Sequence, residues 1–372
     1  MEVDSKSLRK LLIISATPVQ IVNGEARVFE PTLREIESLI PFFDRILWFA
    51  YPMTKTAGGL FRPPVIKNID IRLLPGVHGG PRLIDKLAMI PRLFGMIGLL
   101  YHNMRRFQYI HTRGPSVPAL LAIILSFVLT RKKYWHKYAG NWGQQMPPLA
   151  FGIQRWLLKH SNQTVTVNGS WSNQNSNVIS FDNPCFTELE LAAARQVTRS
   201  FKNHPLRILF VGRMEERKGI FVLLEAAGVL QGPDYEFVLV GPGYDDDKFL
   251  RKLKTLKNVS YRGELSRVEL NIEYQSSHFL VLPSFSEGFP KVVSEACGFG
   301  CIPIVTNVSA IEQHITPDVG FLLERPNVQN LVDCLLRVRE SNLAEMSRNA
   351  QLLAERFTYE RFAMRISTEV FK

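Results

Sequence analysis

The sequence predicts an α/β protein built from two doubly wound domains. Three observations support this: apolar strand-like runs alternate with helix-length segments, most runs are continuous rather than alternating, and the pattern occurs twice along the chain. Continuous apolar runs are typical of parallel strands covered on both faces. Repeated strand–helix–strand units form open parallel sheets with helices on both sides.

Length and composition agree with this fold class. The chain has 372 residues, which fits two domains of ordinary size. Hydrophobic residues make up 46% and charged residues 21%, so each half can form a core. We predict thirteen strands, at 11–16, 45–50, 70–74, 109–112, 133–138, 163–167, 178–181, 207–211, 236–240, 259–262, 279–283, 302–305 and 320–323.

The predicted domain boundary follows Asn183-Pro184, because a polar, helix-prone stretch and then a fresh strand come next. The N-terminal domain is therefore expected over 1–184 and the C-terminal domain over 185–356. Residues 357–372 have helical apolar spacing, and this last helix is expected to pack back on the first domain.

Several features bear on location and cofactors. The polar start predicts no secretory signal, and the apolar stretch 117–130 is too short to cross a bilayer, so a buried helix is expected there. The four cysteines form no CxxC pair and are predicted to be buried or inert thiols in a reducing compartment, which favours a cytoplasmic protein without a metal: Cys185, Cys297, Cys301 and Cys334.

The positive charge is concentrated in the first half. Residues 53–160 hold sixteen Lys/Arg and two acids, whereas the whole chain has a net charge of +11. One domain is therefore expected to face an anionic surface or substrate. The mostly apolar segment 84–107 is either a helix buried against the sheet or a segment lying at an anionic membrane surface. Nucleic acid is not expected, because no nucleic-acid motif accompanies the charge.

A basic turn follows the strand predicted at 207–211. Gly212 ends the strand, Arg213 comes next, and Lys218-Gly219 opens a helix. Ligands bind beyond the carboxyl ends of parallel strands, where a helix N-terminus presents N–H groups to phosphate. Arginine binds phosphate bidentately and lysine adds a point charge. Either a phosphate-binding turn or a solvated turn fits this stretch.

A glycine pair, Gly241 and Gly243, flanks Pro242 just after the strand predicted at 236–240. This pattern lacks the remaining spacing of a dinucleotide fingerprint. It is either a turn that ends the strand or a loop that lets a ligand approach the backbone.

Two glutamates, Glu287 and Glu295, flank the start of the helix that Pro290 opens. Glu287 is expected before the helix and Glu295 two turns into it, with both leaning toward one side. A cap and an exposed helix residue are the ordinary explanations. A ligand site is favoured because both acids follow a strand's carboxyl end in the half that carries the basic turn.

Together these motifs resemble the retaining nucleotide-sugar glycosyltransferases of glycosyltransferase family 4, or glycosyl transferases group 1. Their GT-B fold has two facing doubly wound, Rossmann-like domains. The resemblance covers about 207–357 and rests on the following residues: Gly212-Arg213-x4-Lys218-Gly219, Gly241-Pro242-Gly243, and Glu287-Gly288-Phe289-Pro290-x4-Glu295-Ala296 with Gly300 and Pro303.

The resemblance implies a catalytic set in which Glu287 contacts the transferred sugar while Arg213 and Lys218 stabilise the leaving diphosphate. Glu295 would bind the ribose hydroxyls, and no metal or other cofactor is implied because the two cations replace it. Retention would follow a front-face route in which the leaving phosphate helps to deprotonate the acceptor. Further donor contacts are implied for Gly212, Gly241, Gly243, Gly288, Phe289, Pro290 and Lys291.

The first half matches the family in architecture only. Ala139 stands where many relatives have a histidine, and His136 is predicted to lie within a strand, so no catalytic histidine is assigned. Asn141 and Trp142 are acceptor-side candidates. Arg113 is a third; it either meets an anionic acceptor or pairs with an acid.

The resemblance implies hexosyl transfer from a nucleotide-sugar to a saccharide or lipid-linked acceptor, in cell-surface polysaccharide or glycolipid biosynthesis. The protein would work in the cytoplasm, peripherally on the membrane face if its acceptor is lipid-linked. Two alternatives stay open. One is a GT-B enzyme acting on soluble sugars, of the epimerase or sugar-phosphate synthase type. The other is a non-catalytic protein that binds a nucleotide-sugar or glycan.

Overall fold

The computed structural model describes residues 9–53, 60–76, 90–172, 174–202, 205–243 and 247–371. The chain divides into two compact units. Unit 1 comprises residues 1–57, 61–181 and 363–372, and unit 2 comprises residues 58–60 and 182–362. This division lies at 181/182 and 362/363, whereas the sequence analysis places the boundaries after 184 and 356.

Unit 1 is a sheet with flanking helices. Its strands are Lys10–Val22 (β1), Glu25–Phe29 (β2), Arg45–Pro52 (β3), Phe61–Arg62 (β4), Ile69–Leu73 (β5), Tyr109–Gly114 (β6), Lys133–Tyr138 (β7), Thr164–Val167 (β8) and Val178–Ser180 (β9). Its helices are Glu30–Glu37 (α1), Ile90–Met104 (α2), Val117–Ser126 (α3) and Leu149–Lys159 (α4).

Seven strands of unit 1 are parallel, in the order β5-β3-β1-β6-β7-β8-β9. The short β2 pairs antiparallel with the end of β1, and β4 pairs antiparallel with β2. The sequence analysis missed these two strands. The hairpin between β1 and β2 turns at Asn23-Gly24, where both residues have positive φ, and this dipeptide is a strong hairpin signal.

Unit 2 has a purely parallel sheet. Its strands are Leu206–Val211 (β10), Tyr235–Val240 (β11), Val259–Gly263 (β12), Phe279–Leu282 (β13), Ile302–Thr306 (β14) and Phe321–Leu323 (β15). Its helices, numbered in chain order, begin before the sheet with Glu188–Ala194 (α5) and continue as Ile220–Val229 (α6), Asp247–Leu253 (α7), Arg267–Ser276 (α8), Lys291–Gly298 (α9), Val328–Arg337 (α10), Leu343–Leu353 (α11) and Tyr359–Arg365 (α12).

The six strands of unit 2 are ordered β12-β11-β10-β13-β14-β15. Numbered within the unit, this is 3-2-1-4-5-6, the order of a dinucleotide-binding sheet. The parallel strands of unit 1 begin with the same order. In both sheets the direction of winding reverses between the first and fourth strands, and ligands bind at the carboxyl edge of this switch point.

All thirteen strands predicted from the sequence are present. The prediction succeeded because strands such as β10 and β13 are buried almost along their whole length, so their sequences are continuously apolar. The apolar stretch predicted as a buried helix forms α3. Its buried residues include Ala119, Ala122 and Ile123.

Helix α2 lies within the segment 84–107, of which 84–89 fall outside the described residues. Met96, Leu100 and Met104 of α2 are buried in a core with Leu12 and Ile110, so the inner side of the helix packs against the sheet. At the other end of the chain, α12 continues into a turn over Ile366–Val370. Within unit 1 the Phe371 ring contacts Phe43, Tyr109 and Trp135. Among the described helices, none combines the length and apolarity needed to cross a membrane.

Candidate donor and acceptor sites

The candidate donor site of unit 2 lies at the switch point of its sheet. Strands β10 and β13 are adjacent, and the basic turn follows β10 while the loop with Glu287 follows β13. The turn over 216–218 leads into α6, and the loop over 283–290 leads into α9. The structure thus brings two motifs that are about seventy residues apart in sequence to one point.

Two glycines let these segments approach closely. Gly219 has φ +76°, and a Cβ there would lie 1.9 Å from the carbonyl oxygen of Pro283. Gly241 has φ +132°, and a Cβ there would lie 2.0 Å from the carbonyl oxygen of Gly212. Only glycine fits either place. The glycines therefore have a structural reason to be present whether or not a ligand binds.

Lys218 and Glu287 form an ion pair across the site. Lys218 Nζ donates to Glu287 Oε1, and both side chains are mostly buried. Their backbones are also tied together, because the Phe285 N–H donates to the Arg217 carbonyl over 3.0 Å. Two residues to which the resemblance assigns phosphate and sugar are thus direct neighbours.

Arg213 is exposed, and its side chain makes no hydrogen bond or ion pair with any described residue, although its carbonyl accepts from the Glu215 N–H. It directly follows Gly212, whose N–H donates to Val240 and so continues the sheet. The neighbouring loop is close, since the Met214 N–H donates to the Pro242 carbonyl and a Cβ on Gly243 would lie 2.4 Å from Met214 Cγ. Arg213 is an uncommitted cation at the switch point.

Glu295 is buried in α9, with 3% of its surface exposed. Arg267 Nη1 donates to Oε1 over 2.8 Å, and the Tyr274 hydroxyl donates to Oε2 over 2.9 Å. Burial alone would raise the pKa of Glu295, but the Arg267 charge and these hydrogen bonds more than offset it and hold the pKa below its usual value. A carboxylate has about four acceptor positions, so two donors leave capacity for ribose hydroxyls.

Neither Arg267 nor Tyr274 was predicted from the sequence as a site residue. A signal for Arg267 was present, because Ser266 and Glu269 form a capping box that starts α8 just after β12. That start places Arg267 at the carboxyl edge of the sheet. Nothing in the sequence could show that its side chain reaches a glutamate 28 residues later.

The remaining donor-side predictions lie around the start of α9. The helix begins at Lys291 with Pro290 as its N-cap residue, close to where the sequence placed it. Gly288 and Lys291 are partly exposed. The Phe289 ring is buried against His314 and Phe357, so only its backbone fits the predicted role.

At the carboxyl edge of unit 1, Arg113 forms a buried ion cluster. Glu35 of α1 is fully buried, and its Oε1 accepts from Arg113 Nη1 and from Lys137 Nζ, each over 2.6 Å. His111 lies behind them: its Nδ1 donates to the Trp135 carbonyl, and its ring stacks on Trp135. Of the two explanations offered for Arg113, pairing with an acid is the one observed. Glu35 and Lys137 were not found from the sequence, because they become neighbours only through the fold.

The other acceptor-side candidates differ from each other. Trp142 is buried, and its ring packs edge-on against Tyr138, so we correct it to a core residue. Asn141 Oδ1 is buried without a hydrogen-bond partner among the described residues, which marks it as an acceptor atom that a ligand hydroxyl would satisfy. His136 lies within β7, as predicted, where Thr112 and Gln163 bind its two ring nitrogens.

The cysteines fit the sequence-based view of unreactive thiols. Cys185, Cys297 and Cys301 are buried, and Cys334 is partly buried. Burial raises the pKa of the Cys301 thiol and raises that of Cys334 to about 12. Thiols held in the neutral form are poor nucleophiles.

Comparison with known proteins extends these findings. Residues 194–353 match the family model described as Glycosyl transferases group 1. An uncharacterized glycosyltransferase of Haemophilus influenzae is 32% identical over 165 residues, which is 41% of this chain and 46% of that protein. The chain therefore spans less than half the length of the curated relatives that it matches first.

Solved structures match over nearly the whole chain. Sucrose-phosphate synthase from Thermosynechococcus elongatus has a TM-score of 0.69 at 17% identity, covering 96% of this chain and 97% of that one. HepE from Anabaena, solved in complex with UDP and glucose, has a TM-score of 0.68 at 15% identity. The match covers 97% of this chain and 98% of HepE. The predicted fold class, GT-B with two Rossmann-like domains, is confirmed, and residues 194–353 are similar to the glycosyl transferases group 1 family.

Proposed function

We propose that this protein is a retaining glycosyltransferase that moves a hexosyl group from a nucleotide-sugar to a saccharide or lipid-linked acceptor. The observation that carries the proposal is the convergence of Arg213, Lys218 and Glu287 at the switch point of a sheet with dinucleotide-binding order. The work would belong to cell-surface polysaccharide or glycolipid synthesis on the cytoplasmic side of a membrane.

Each residue has a separate task in this proposal. Arg213 and Lys218 stabilise the charge that develops on the departing diphosphate, so the proposed reaction needs no metal. Glu287 holds the transferred sugar, and the ion pair with the neighbouring Lys218 keeps this carboxylate in place. Glu295 accepts from the ribose hydroxyls, held by Arg267 and Tyr274.

Configuration is retained in this proposal because the acceptor attacks from the face that the diphosphate leaves. The acceptor hydroxyl loses its proton to a leaving phosphate oxygen as the new glycosidic bond forms. Glu287 is therefore not paired with a second carboxylate as a glycosidase nucleophile and acid would be. In the described structure its close partner is a lysine, which suits a holding role.

A GT-B enzyme acting on soluble sugars is the second candidate. The structural likeness to a sucrose-phosphate synthase, at 96% coverage of this chain, favours it. A non-catalytic sugar-binding protein is a third possibility that the same experiment addresses.

The test is a thermal-shift screen against UDP-, GDP- and ADP-sugars, followed by donor hydrolysis and transfer assays. A ligand that binds the folded state raises the melting temperature by mass action. We expect one nucleotide to stand out, and we expect Arg213→Ala and Glu287→Ala to abolish turnover. Arg213 is exposed and without a described partner, so its loss should change stability by less than about 0.5 kcal/mol. Arg251→Ala, on the surface of α7, is the matched control. Unchanged donor binding and turnover in both site variants would refute the assignment.

A further inference from the structure

The middle of unit 1 has an unusual charge composition. Between Asp85 and Asp182 the sequence holds no Asp or Glu, while residues 90–160 hold ten Lys/Arg. In the described structure Glu35 pairs with Arg113 and Lys137 of this set. Apart from Lys133, the other basic residues of the stretch make no ion pair with a described residue. Among the described residues, their charge is therefore not neutralised within unit 1.

The fold gathers these charges at one end of three helices. Because β6, β7 and β8 are successive parallel neighbours, the connecting helices α3 and α4 run side by side and end at the amino edge of the sheet. Helix α2 also ends there, and Lys132 Nζ donates to the Arg105 carbonyl over 2.7 Å, which joins the ends of α2 and α3. The basic residues at these ends are Arg105, Arg106, Arg131, Lys132 and Lys159.

Cations near helix C-termini also interact favourably with the helix dipole. That effect explains a basic residue at the end of each helix. It does not explain the absence of acids over the whole stretch, including the exposed first turns of α2 and α4 where acids would be favourable. The charge alone therefore does not indicate which kind of partner binds this surface.

Helix α4 supplies that observation. Leu149, Ile153 and Trp156 are 83%, 42% and 59% exposed, and their spacing of four and three residues places them on one outward stripe. The opposite side of the helix is buried through Gln154 and Leu158. Single exposed apolar residues are common, but a stripe with tryptophan beside lysine and arginine is typical of helices at a membrane interface.

The end of α3 extends the apolar surface. Phe127 and Val128 follow the helix and are 43% and 70% exposed, directly before Arg131 and Lys132. We define the docking face as the α4 stripe (Leu149, Ile153, Trp156) together with Phe127, Val128 and the basic residues at the helix ends. Exposed apolar residues along α4 and after α3 thus lie on the same neighbouring helices whose C-terminal ends carry the basic residues, which matches acyl chains beneath anionic headgroups.

We propose that the docking face binds an anionic lipid bilayer, with Trp156 entering the interface and the basic residues contacting headgroups. An acidic protein or a nucleic acid would pair with the basic residues, but neither would account for the exposed apolar stripe of α4. This inference deepens the proposed function by assigning its membrane partner to particular residues. Vesicle binding is measured without donor or acceptor, so it succeeds or fails independently of glycosyl transfer.

The first experiment uses tryptophan fluorescence of the full chain with vesicles. Trp48, Trp135 and Trp142 are buried, so Trp156 is the most exposed tryptophan among the described residues. We expect a blue shift with phosphatidylglycerol-containing vesicles, little change with pure phosphatidylcholine, and loss of the effect at high salt. Trp156→Phe should still bind in sedimentation but lose most of the shift. An equal shift in Trp156→Phe would overturn the proposed insertion.

The second experiment separates charge from apolar contact by vesicle sedimentation. Arg131→Glu with Lys159→Glu should weaken binding by at least about tenfold, because each basic residue near an anionic surface contributes substantially. Ile153→Ser with Trp156→Ala should weaken it by a similar factor. The matched controls in unit 2 are Arg251→Glu with Lys252→Glu, and Leu352→Ser. If the wild type does not bind anionic vesicles, or if the controls weaken binding as much as the docking-face variants, the proposal fails.

Discussion

Arg267 Nη1 lies 2.8 Å from Glu295 Oε1, which joins the first turn of α8 to the middle of α9 beneath the candidate donor site. Tyr274, on the same helix as Arg267, holds the other carboxylate oxygen. Glu295 is therefore an ionised, immobile acceptor rather than a solvated helix residue. Its position is set before any ligand arrives, which lowers the entropic cost of binding.

Replacing Arg267 with methionine should leave Glu295 buried without its main counter-charge. We expect a loss of about 3 kcal/mol in unfolding free energy at neutral pH, as is usual when one partner of a buried pair is removed. If Glu295 binds the donor ribose as proposed, we also expect a raised KM for the donor with a smaller effect on kcat, because Arg267 holds Glu295 and not the reacting bond. Chemical denaturation and steady-state kinetics would measure these effects.

The pH dependence of that variant follows from the lowered pKa of Glu295. A depressed carboxyl pKa contributes stability that is present above the unfolded pKa and is lost as pH falls through the folded pKa. The stability gap between the wild type and Arg267→Met should therefore narrow in acid. Arg262→Met, which removes a half-exposed partner of Glu273, should cost less than about 1 kcal/mol and serves as the control. A difference in unfolding free energy between the wild type and Arg267→Met that stays constant with pH would argue against a stabilising Arg267–Glu295 ion pair.

Gly241→Ala should damage the donor site through the backbone. The new Cβ would lie 2.0 Å from the Gly212 carbonyl at a φ that L-residues rarely adopt, so β10 and β11 must separate where they end. We expect a loss of about 2 kcal/mol or more and a weaker response to nucleotide in thermal shift. Gly95→Ala is the contrasting variant, since a Cβ there meets nothing within 4 Å of a helical glycine. It should be neutral or stabilising by about 0.5–1 kcal/mol. Equal behaviour of the two variants would disprove the argument.

His136 should make unit 1 sensitive to mild acid. Burial lowers its pKa to about 4, with the Gln163 hydrogen bond opposing the shift. Between about pH 6.5 and 4 the unfolded chain takes up a proton that the folded imidazole refuses, so stability falls as pH decreases through this window. His136→Gln should reduce that slope by up to one proton, about 1.4 kcal/mol per pH unit. Denaturant titrations across this pH range measure the slope. If His136→Gln has the same slope as the wild type, His136 does not contribute to the acid sensitivity.

Much of the fold was predictable because local patterns and global topology agree. Continuous apolar runs such as Ile208–Val211 are buried on both sides, and the winding rules then leave few ways to order the strands. The meeting of the two motifs that form the candidate donor site was predictable for the same reason. A basic turn and a glutamate loop that both follow strands of one parallel sheet must meet at its carboxyl edge.

By itself, the sequence determined the two doubly wound units, the thirteen strands and the residue types at the donor edge, because burial pattern and turn chemistry are local properties. Only the tertiary structure decided which charges neutralise each other. Glu35 meets Arg113 and Lys137 across 78 and 102 residues, and Arg267 meets Glu295 across 28. Such pairs form because a buried charge must find a partner, and which partner is near depends on how the helices pack on the sheet. The same packing turned Trp142 inward and left Trp156 at the surface.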